Sequence, residues 1–464
     1  MVFSSITFLL YFLPVTLIAY YVARSVRARN IVLLIASLFF YAWGEPVYVI
    51  LMMISICGNY FFVRFMDEAR EEGRPVRLHL AFAVFWNLAI LFFFKYANMM
   101  IGLVNRLGGF SLAELKLSLP IGISFYTFQA LSYVFDVFRG QARCQKSLPA
   151  FALYISMFPQ LIAGPIVKYM DIEERLAKRS ITPAAFGKGA EYFILGLAKK
   201  VLLANNLGAL FTQISGTVPG ERSFLMVWLG ALAYTFQIYF DFSGYSDMAI
   251  GLGYMLGFRF PMNFNFPYIA GSVTEFWRRW HISLSSWFRD YVYIPLGGNR
   301  VGTARHIRNI LIVWALTGLW HGASWNFVLW GLYYAFWLIL EKYVLGGFLA
   351  RHRAAGHVMT GFIFIIGWVI FAFTDFSQMG AYLGQMFGIG AAGLADARTL
   401  YLLLTSLVTL LIAAAASTPL VRALYYRTAE KCRPLALALM AVTLVLCLAY
   451  LVYQSYNPFL YFRF

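Results

Sequence analysis

Residues 309–340 read NILIVWALTGLWHGASWNFVLWGLYYAFWLIL, an apolar stretch in which the imidazole of His321 is the only acidic or basic side chain. The stretch exceeds the roughly 20 apolar residues that a membrane-spanning helix needs. Ionisable side chains at membrane depth usually face an interior cavity and take part in function. The stretch therefore predicts membrane-embedded helix and marks one histidine as a candidate functional residue.

The whole chain shares this apolar character. Of its 464 residues, 61% are hydrophobic and 12% are charged, and the mean hydropathy is +0.70. Soluble globular proteins are about 45–50% apolar and about 25% charged. Apolar stretches fill most of the sequence and leave no room for a separate soluble domain. We therefore expect one integral membrane domain over residues 1–464.

The apolar segments are numerous enough to predict an all-α, polytopic protein. The candidates are 6–23, 31–43 with 46–63, 80–104, 119–138, 149–167, 189–211, 223–240, 307–340, 358–374, 399–421 and 435–453. They amount to roughly 10–12 membrane segments.

Several of these segments are interrupted by proline. Breaks fall at Gly44-Glu45-Pro46, Phe158-Pro159-Gln160 and Ala163-Gly164-Pro165. Irregular backbone at membrane depth is tolerated only where protein buries it or where it lines a wet cavity. The breaks predict bent or re-entrant segments around an internal funnel, with kinked packing helices as the alternative at each break.

The net charge of +17 admits two explanations. A basic protein could bind nucleic acid, but here the basic residues lie in short loops between apolar segments, as the positive-inside rule predicts. Residues 278–308 hold six arginines and one aspartate, so this region is predicted to be cytoplasmic. No nucleic-acid partner is expected. The first apolar segment precedes its arginines, which predicts a retained first span with an extracytoplasmic N-terminus.

Two further features of the polar residues bear on the site. Lys199 and Lys200 lie inside an apolar segment, where they could extend to the interface or face an interior site, and the former is favoured. The four cysteines have no C-x-x-C spacing, so neither a disulfide framework nor a metal site is predicted.

A second histidine follows the motif Trp277-Arg-Arg-Trp280 in the stretch EFWRRWHIS, residues 275–283. Tryptophan and arginine often anchor a helix at the membrane interface, so His281 could belong to such an anchor. It could equally contact a substrate. The residues alone leave both alternatives open.

His321 has the stronger claim to a chemical role. A histidine can take and return a proton near neutral pH. Gly318 and Gly322 flank it and would let another backbone or a substrate approach closely. The alternative is a core histidine whose ring bonds a backbone carbonyl.

A third polar group, DFSGYSD, occupies residues 241–247 at the end of the apolar segment 223–240. Its carboxylates and hydroxyls could orient an imidazole, line a polar tunnel or cap the next helix. Because serine and aspartate are good N-caps, capping is favoured for any one of them.

Short motifs along the whole chain resemble the membrane-bound O-acyltransferase family, in the branch that includes the membrane subunit of bacterial alginate O-acetyltransferase. They are Met1-Val-Phe-Ser-Ser5, Phe40-Tyr-Ala-Trp43, Phe94-Lys-Tyr96, Leu119–Tyr126, Phe158–Pro165, Gly196–Asn206, Asp241–Asp247, Phe276–Ser285, Phe288–Gly298, Leu319–Trp325 and Asn457–Phe464.

The resemblance implies a site and a reaction. His321 would be catalytic, with His281 as the second member of the site. Acetyl-CoA would be the acyl donor, with no permanently bound cofactor and no metal. Arg278, Arg279 and Trp280 are candidates for contacting the donor. Candidates for lining or supporting a central tunnel are Asp241, Ser243, Tyr245, Asp247, Trp320 and Asn326.

The same resemblance implies a setting. We expect a multi-pass protein of the bacterial inner membrane that passes acetyl groups to an extracytoplasmic polysaccharide through a periplasmic SGNH-type acetyltransferase or another acyl-accepting partner. Alginate is the favoured polymer, with cellulose and peptidoglycan as alternatives. A teichoic-acid-type D-alanyl transfer from a carrier protein, or a non-enzymatic role in polysaccharide export, remains open.

Overall fold

The computed structural model describes residues 1–453, 456–458 and 460, and the regular structure in these residues is helical. A helix satisfies its own backbone hydrogen bonds, which is the requirement that lipid imposes on a spanning segment. Part of the C-terminal motif 457–464 lies outside the described residues. The all-α class expected from the sequence is confirmed.

Contacts divide the described chain into two compact units. The first unit comprises Met1–Phe193 and Ser246–Pro261. A π-helical turn, Phe8–Phe12, precedes its helices. These are α1 (Leu13–Val22), α2 (Val26–Gly44), α3 (Tyr48–Glu71), α4 (Arg77–Gly108), α5 (Ile123–Phe138), α6 (Leu148–Ser156), α7 (Phe158–Leu161), α8 (Tyr169–Ala177) and most of α9 (Pro183–Ala198).

The second unit comprises Ile194–Tyr245 and Met262–Phe464. Its described helices are α10 (Asn205–Ser215), the first part of α11 (Phe224–Met255), α12 (Val273–Arg279), α13 (Ile282–Phe288), α14 (Thr303–His321), α15 (Trp325–Leu340), α16 (Gly346–Arg351), α17 (Arg353–Ala372), α18 (Phe376–Met386), α19 (Ala397–Ala416), α20 (Leu420–Lys431) and α21 (Arg433–Tyr453). Further π-helical turns are Lys199–Ala204, Arg289–Tyr293 and Glu341–Leu345. The expected single domain over 1–464 stays a prediction.

Nine helical stretches in the described chain are long and apolar enough to cross a membrane, which makes this a multi-pass membrane protein. They are Val26–Gly44, Tyr48–Glu71, Arg77–Gly108, Pro183–Ser215, Phe224–Met255, Trp325–Arg351, Arg353–Ala372, Ala397–Ala416 and Arg433–Tyr453. Shorter apolar helices, such as Phe8–Val22 and α5, occupy the other predicted segments. The central tunnel stays a prediction.

The segment 149–167 is broken where its prolines predict. Helix α6 ends at Ser156 and α7 begins at Phe158, and both are buried in the first unit. The N–H of Phe158 donates to Ser37 Oγ of α2 at 3.1 Å. A side chain therefore satisfies a donor that the break releases, which lets an irregular backbone persist at this depth.

One sequence expectation about a helix boundary is wrong, and a second segment is divided. The apolar segment 223–240 does not end before Asp241, because α11 continues to Met255. Residues 241–247 therefore lie inside a helix and cap none. The segment 307–340 is not one continuous helix, since the chain leaves helical geometry at Gly322 between α14 and α15.

Helices α14 and α15 form a tight hairpin in which glycines replace side chains at the contact. A Cβ on Gly318 would collide with the carbonyl oxygen of Phe327, and a Cβ on Gly331 would collide with that of Trp314. The sequence predicted that another backbone or a substrate would approach closely beside His321. At Gly318 the approaching group is the backbone of α15. Small residues allow such approach between membrane helices, where packing replaces the hydrophobic effect as the source of stability.

We expect Gly318→Ala and Gly331→Ala to destabilise the protein, because the added methyl groups meet backbone atoms that have no rotamer to change. Overpacking of this kind costs about 1–3 kcal/mol. The matched control is Gly361→Ala in α17, where a Cβ meets no atom within 4 Å. Thermal unfolding of the detergent-purified variants measures the effect, and equal unfolding temperatures for all three would contradict the tight hairpin.

Candidate active site

His281 occupies the corner between α12 and α13, with a left-handed backbone (φ 43°). This conformation is uncommon for a non-glycine residue and costs on the order of 1–3 kcal/mol. The side chain is 1% exposed. The surrounding structure therefore holds a strained residue in place, which is common at functional sites.

Asn263 holds the imidazole of His281 in one tautomer. Its Oδ1 accepts from the backbone N–H of Ser283 at 3.2 Å and from the Ser283 hydroxyl at 2.9 Å, and lies 3.1 Å from His281 Nδ1. Because a backbone N–H can only donate, the Asn263 atom at this position is the oxygen. His281 Nδ1 must then carry the hydrogen, which leaves the lone pair on Nε2.

The Nε2 atom of His281 is buried and has no hydrogen-bond partner in the described structure. Burial lowers the pKa of the His281 imidazole well below its usual value, so the ring is neutral at physiological pH. A neutral ring with a bare Nε2 can accept a proton or a hydrogen bond. Native proteins rarely leave such an atom unpaired without a functional reason.

His321 is the last residue of α14 and is 5% exposed. Its ring packs edge to face on Trp330 of α15 and Phe371 of α17, with centroid distances of 5.0 Å and 5.2 Å. Asn326 holds the end of α17 that carries Phe371, since its Nδ2 donates to the carbonyls of Ile370 and Phe371 at 3.3 Å each. The aromatic shell keeps water from most of the ring.

One cavity in the second unit, of about 460 Å³, reaches both histidines. Its lining consists of Thr274, Trp277, Arg278, Trp280, His281, Ile282, Leu284, Ser285, Ser286, Phe288, Arg289, Tyr293, Val313, Trp314, Thr317, His321 and Leu338. The volume lies within the range of about 300–1,000 Å³ that small-molecule pockets span. The structure therefore brings together two residues that lie forty positions apart in sequence.

Trp320 also joins the two histidines, although it does not line the cavity. Its ring centroid lies 5.7 Å from that of His281 and 5.0 Å from that of His321. Trp280 does line the cavity, and its ring packs on Trp368 at 4.6 Å. Aromatic packing thus fixes the separation of the two imidazoles.

Three arginines of the segment 278–289 have different surroundings. Arg278 is exposed, lines the cavity and has no ion-pair partner among the described residues. Arg279 does not line it and instead pairs with Glu275 at 2.7 Å. Arg289 lines it and pairs with Asp290 at 2.7 Å. Arg278 is therefore the guanidinium most available to an anionic ligand.

The polar residues of α11 do not reach this cavity. Asp241 pairs with Lys200 at 2.7 Å, and both side chains are buried at 2% and 3% exposure. The preference for Lys200 at the interface is therefore wrong, because burial of an ammonium group requires a partner and Asp241 supplies it. Asp241 also accepts from the N–H of Leu460 at 2.9 Å, so it does not orient either imidazole.

The other candidates on α11 do not line the cavity either. Ser243 and Tyr245 are buried in the second unit, whereas Asp247 is half-buried in the first. Phe242 makes the contact that the sequence did not suggest, since its ring packs edge to face on His281 at 4.6 Å.

Sequence reasoning missed Asn263, which orients His281, and the cavity-lining Arg289. Asn263 stands in the loop segment Pro261-Met-Asn-Phe-Asn265, where an amide among apolar residues was the available signal. No cluster of histidine, cysteine and carboxylate side chains suited to a metal occurs in the described part of the chain.

The chain is similar to known proteins over most of its length. Residues 132–380 match the model of the MBOAT, membrane-bound O-acyltransferase family. The probable alginate O-acetylase AlgI of Pseudomonas putida is 39% identical over 491 residues, which cover all of both chains. The peptidoglycan O-acetyltransferase of Helicobacter pylori is 35% identical over 406 residues, or 80% of this chain and 74% of that protein.

A more distant relative is the teichoic acid D-alanyltransferase of Streptococcus thermophilus, 28% identical over 238 residues, or 48% of this chain and 56% of that protein. The family match takes in more than half of this chain and includes both histidine motifs. On this evidence the chain belongs to the membrane-bound O-acyltransferase family and is a multi-pass membrane O-acyltransferase.

Proposed function

We propose that this enzyme O-acetylates an extracytoplasmic polysaccharide, with acetyl-CoA from the cytoplasm as the donor. The observation that carries the proposal is a cavity lined by His281, His321 and Arg278, the last of which has no ion-pair partner among the residues that the structure describes. The names of the two full-length or near full-length relatives, an alginate O-acetylase and a peptidoglycan O-acetyltransferase, support the acetyl group and the polymer class. Alginate is the favoured polymer, and cellulose and peptidoglycan are the alternatives.

The reaction requires a hydroxyl oxygen to attack the thioester carbonyl. A carbon–oxygen bond forms, the carbon–sulfur bond breaks, and the hydroxyl proton finally resides on the thiol of CoA. We propose that His321 removes the proton as the hydroxyl attacks, a contribution of typically 10²–10⁴-fold in rate. In the alternative, His321 carries the acetyl group on an imidazole nitrogen before the acceptor takes it.

His281 would have a separate part in proton transfer. Asn263 occupies its Nδ1–H, so Nε2 is the nitrogen left to accept a proton or to hold the acyl donor. A neutral imidazole of this kind can orient the donor by accepting a hydrogen bond at Nε2, or it can take a proton at Nε2 from the acceptor side and return it from the same nitrogen to the departing thiolate. The strained, left-handed backbone of His281 would serve to hold Nε2 in this orientation.

Arg278 would bind the phosphates of CoA. It is exposed on the cavity lining and lies in the arginine-rich region 278–308 that is predicted to face the cytoplasm. A guanidinium forms charge-assisted hydrogen bonds with phosphate oxygens. Arg279, which pairs with Glu275, would instead stabilise α12.

The enzyme would reside in the bacterial inner membrane and transfer the acetyl group to a periplasmic SGNH-type acetyltransferase or another acyl-accepting partner. The likeness to a D-alanyltransferase supports a second candidate, in which a carrier protein delivers the acyl group. Purified protein that releases CoA from acetyl-CoA without any carrier favours the first candidate. Activity only with an acyl-loaded carrier favours the second.

We expect His321→Ala to abolish acetyl transfer, with a loss of at least about 10²-fold because the base or acyl carrier is gone. CoA release by purified protein supplied with its acceptor partner measures the loss. The matched control is His352→Ala, which removes an exposed histidine outside the cavity. Full activity of a correctly inserted His321→Ala protein would refute the catalytic role.

We expect Arg278→Ala to raise the KM for acetyl-CoA by at least about tenfold, because a hydrogen bond between charged groups contributes on the order of 1.5–3 kcal/mol and each 1.4 kcal/mol is a factor of about ten. Arg305→Ala is the control, since Arg305 is exposed on α14 and does not line the cavity. Steady-state kinetics over a range of acetyl-CoA concentrations provides the measurement. The phosphate-binding role fails if both variants keep the KM of the parent protein.

A further inference from the structure

Helix α12 carries much of the cavity wall but is too short to be stable alone. It has seven residues, Val273–Arg279, and three of them, Thr274, Trp277 and Arg278, line the cavity. Isolated helices shorter than about 12–15 residues are marginal in water. Contacts at its ends must therefore determine where these three side chains lie.

The carboxylate of Glu341 supplies the contact at the N-terminus of α12. Its Oε2 accepts from the N–H of Val273 at 2.6 Å, and its Oε1 accepts from the N–H of Thr274 at 3.1 Å. Glu341 is 7% exposed and lies 67 residues beyond Thr274, directly after α15. A buried carboxylate at a helix N-terminus also interacts favourably with the helix dipole.

A local side chain satisfies the next free donor of α12. Ser272 Oγ accepts from the N–H of Glu275 at 3.1 Å, and the N–H of Phe276 makes the first regular helix bond to the Ser272 carbonyl at 2.9 Å. The first four N–H groups of a helix have no partner within it. Glu341 thus accepts from two of the three free N–H groups in the first turn, those of Val273 and Thr274, and it comes from outside the local sequence.

The same turn, Glu341–Leu345, also holds a second part of the cavity wall. The hydroxyl of Tyr343 lies 2.6 Å from His306 Nδ1, and the hydroxyl of Tyr293 lies 2.8 Å from His306 Nε2. His306 is 4% exposed, and Tyr293 lines the cavity. A neutral imidazole donates through one nitrogen and accepts through the other, so one buried ring links the two tyrosines.

We propose that the π-helical turn Glu341–Leu345 is a positioning element for the donor-binding wall, acting on Arg278 through Glu341 and α12, and on Tyr293 through Tyr343 and His306. The inference deepens the proposed function, on which its kinetic part rests. This role explains why the acidic side chain of Glu341 is buried directly after the apolar helix α15. Glu341 acts through α12 and is a positioning residue.

The decisive variant is Glu341→Gln, which keeps the shape of the side chain but replaces one accepting oxygen with an NH₂ group. We expect faster hydrogen exchange in peptides that cover Val273–Arg279 and a KM for acetyl-CoA raised severalfold, with kcat nearly unchanged. In a background that carries Arg278→Ala, the same substitution should raise KM little further, because it acts through Arg278. Glu221→Gln is the control, since Glu221 is exposed and lies outside the cavity.

A second variant tests the same contact from the other partner. Val273→Pro removes the N–H that bonds Oε2, and proline is well tolerated at the first position of a helix. The preceding Ser272 has an extended backbone (φ −154°, ψ 158°), which suits a residue before proline. Val273→Pro should also raise the KM for acetyl-CoA. If the Glu341→Gln protein is not recovered in the membrane, Val273→Pro alone tests whether the contact between Glu341 and α12 positions the cavity wall.

Tyr343→Phe tests the second link and should speed exchange in peptides covering 289–298 while leaving those covering 273–279 unchanged. The proposal is overturned if Glu341→Gln and Val273→Pro keep the parent KM and exchange rates, or if their effects on KM add fully to that of Arg278→Ala. If the parent protein does not use acetyl-CoA, the proposed function fails, while the exchange measurements still report on the turn.

Discussion

The close backbone contact between α14 and α15 is the constraint on which the site depends. Gly318 and Gly331 bring the two helices together without intervening side chains. His321 ends the first helix, Trp330 on the second packs on its ring, and the second helix runs on into the turn that contains Glu341. One hairpin therefore places the catalytic candidate and also the carboxylate that holds α12.

The two histidines have unlike environments, which suits unlike roles. His281 has a fixed tautomer, because Asn263 accepts from its Nδ1, and its backbone is held in a strained conformation. His321 lies among aromatic rings at a helix end. Acyl transfer needs one group that acts on the acceptor hydroxyl and another path for protons to the leaving thiol. A pair with one oriented imidazole and one aromatic-enclosed imidazole meets that need.

Two carboxylates buried in the second unit, Asp241 and Glu341, bond groups far away in the sequence. Asp241 pairs with Lys200 and also accepts from the backbone of Leu460, and Glu341 bonds the start of α12. In an apolar environment, each unpaired charge or N–H costs several kcal/mol. These pairings specify which elements meet. They also give structural partners to Asp241 and Lys200, which the sequence had suggested for the tunnel and the interface.

Much of the fold could be predicted from sequence, because lipid restricts spanning segments to helices and apolar length locates them. The breaks at proline were predictable for the same reason, as at Pro159, since proline cannot donate a backbone hydrogen bond. Helix ends were less predictable. The division of 307–340 at Gly322 and the extension of α11 to Met255 depend on neighbours that hydropathy does not describe.

The sequence by itself determined that this is an all-α membrane protein and that two histidine motifs set it apart from generic apolar helices. The resemblance of these motifs to the family was the basis for predicting that His321 and His281 are catalytic. The tertiary structure alone decided that Asn263 orients His281, that Arg278 faces the cavity while Arg279 pairs with Glu275, and that Lys200 is buried against Asp241. These outcomes depend on hydrogen bonds and ion pairs between residues far apart in the chain, and such distances are set only when the helices pack.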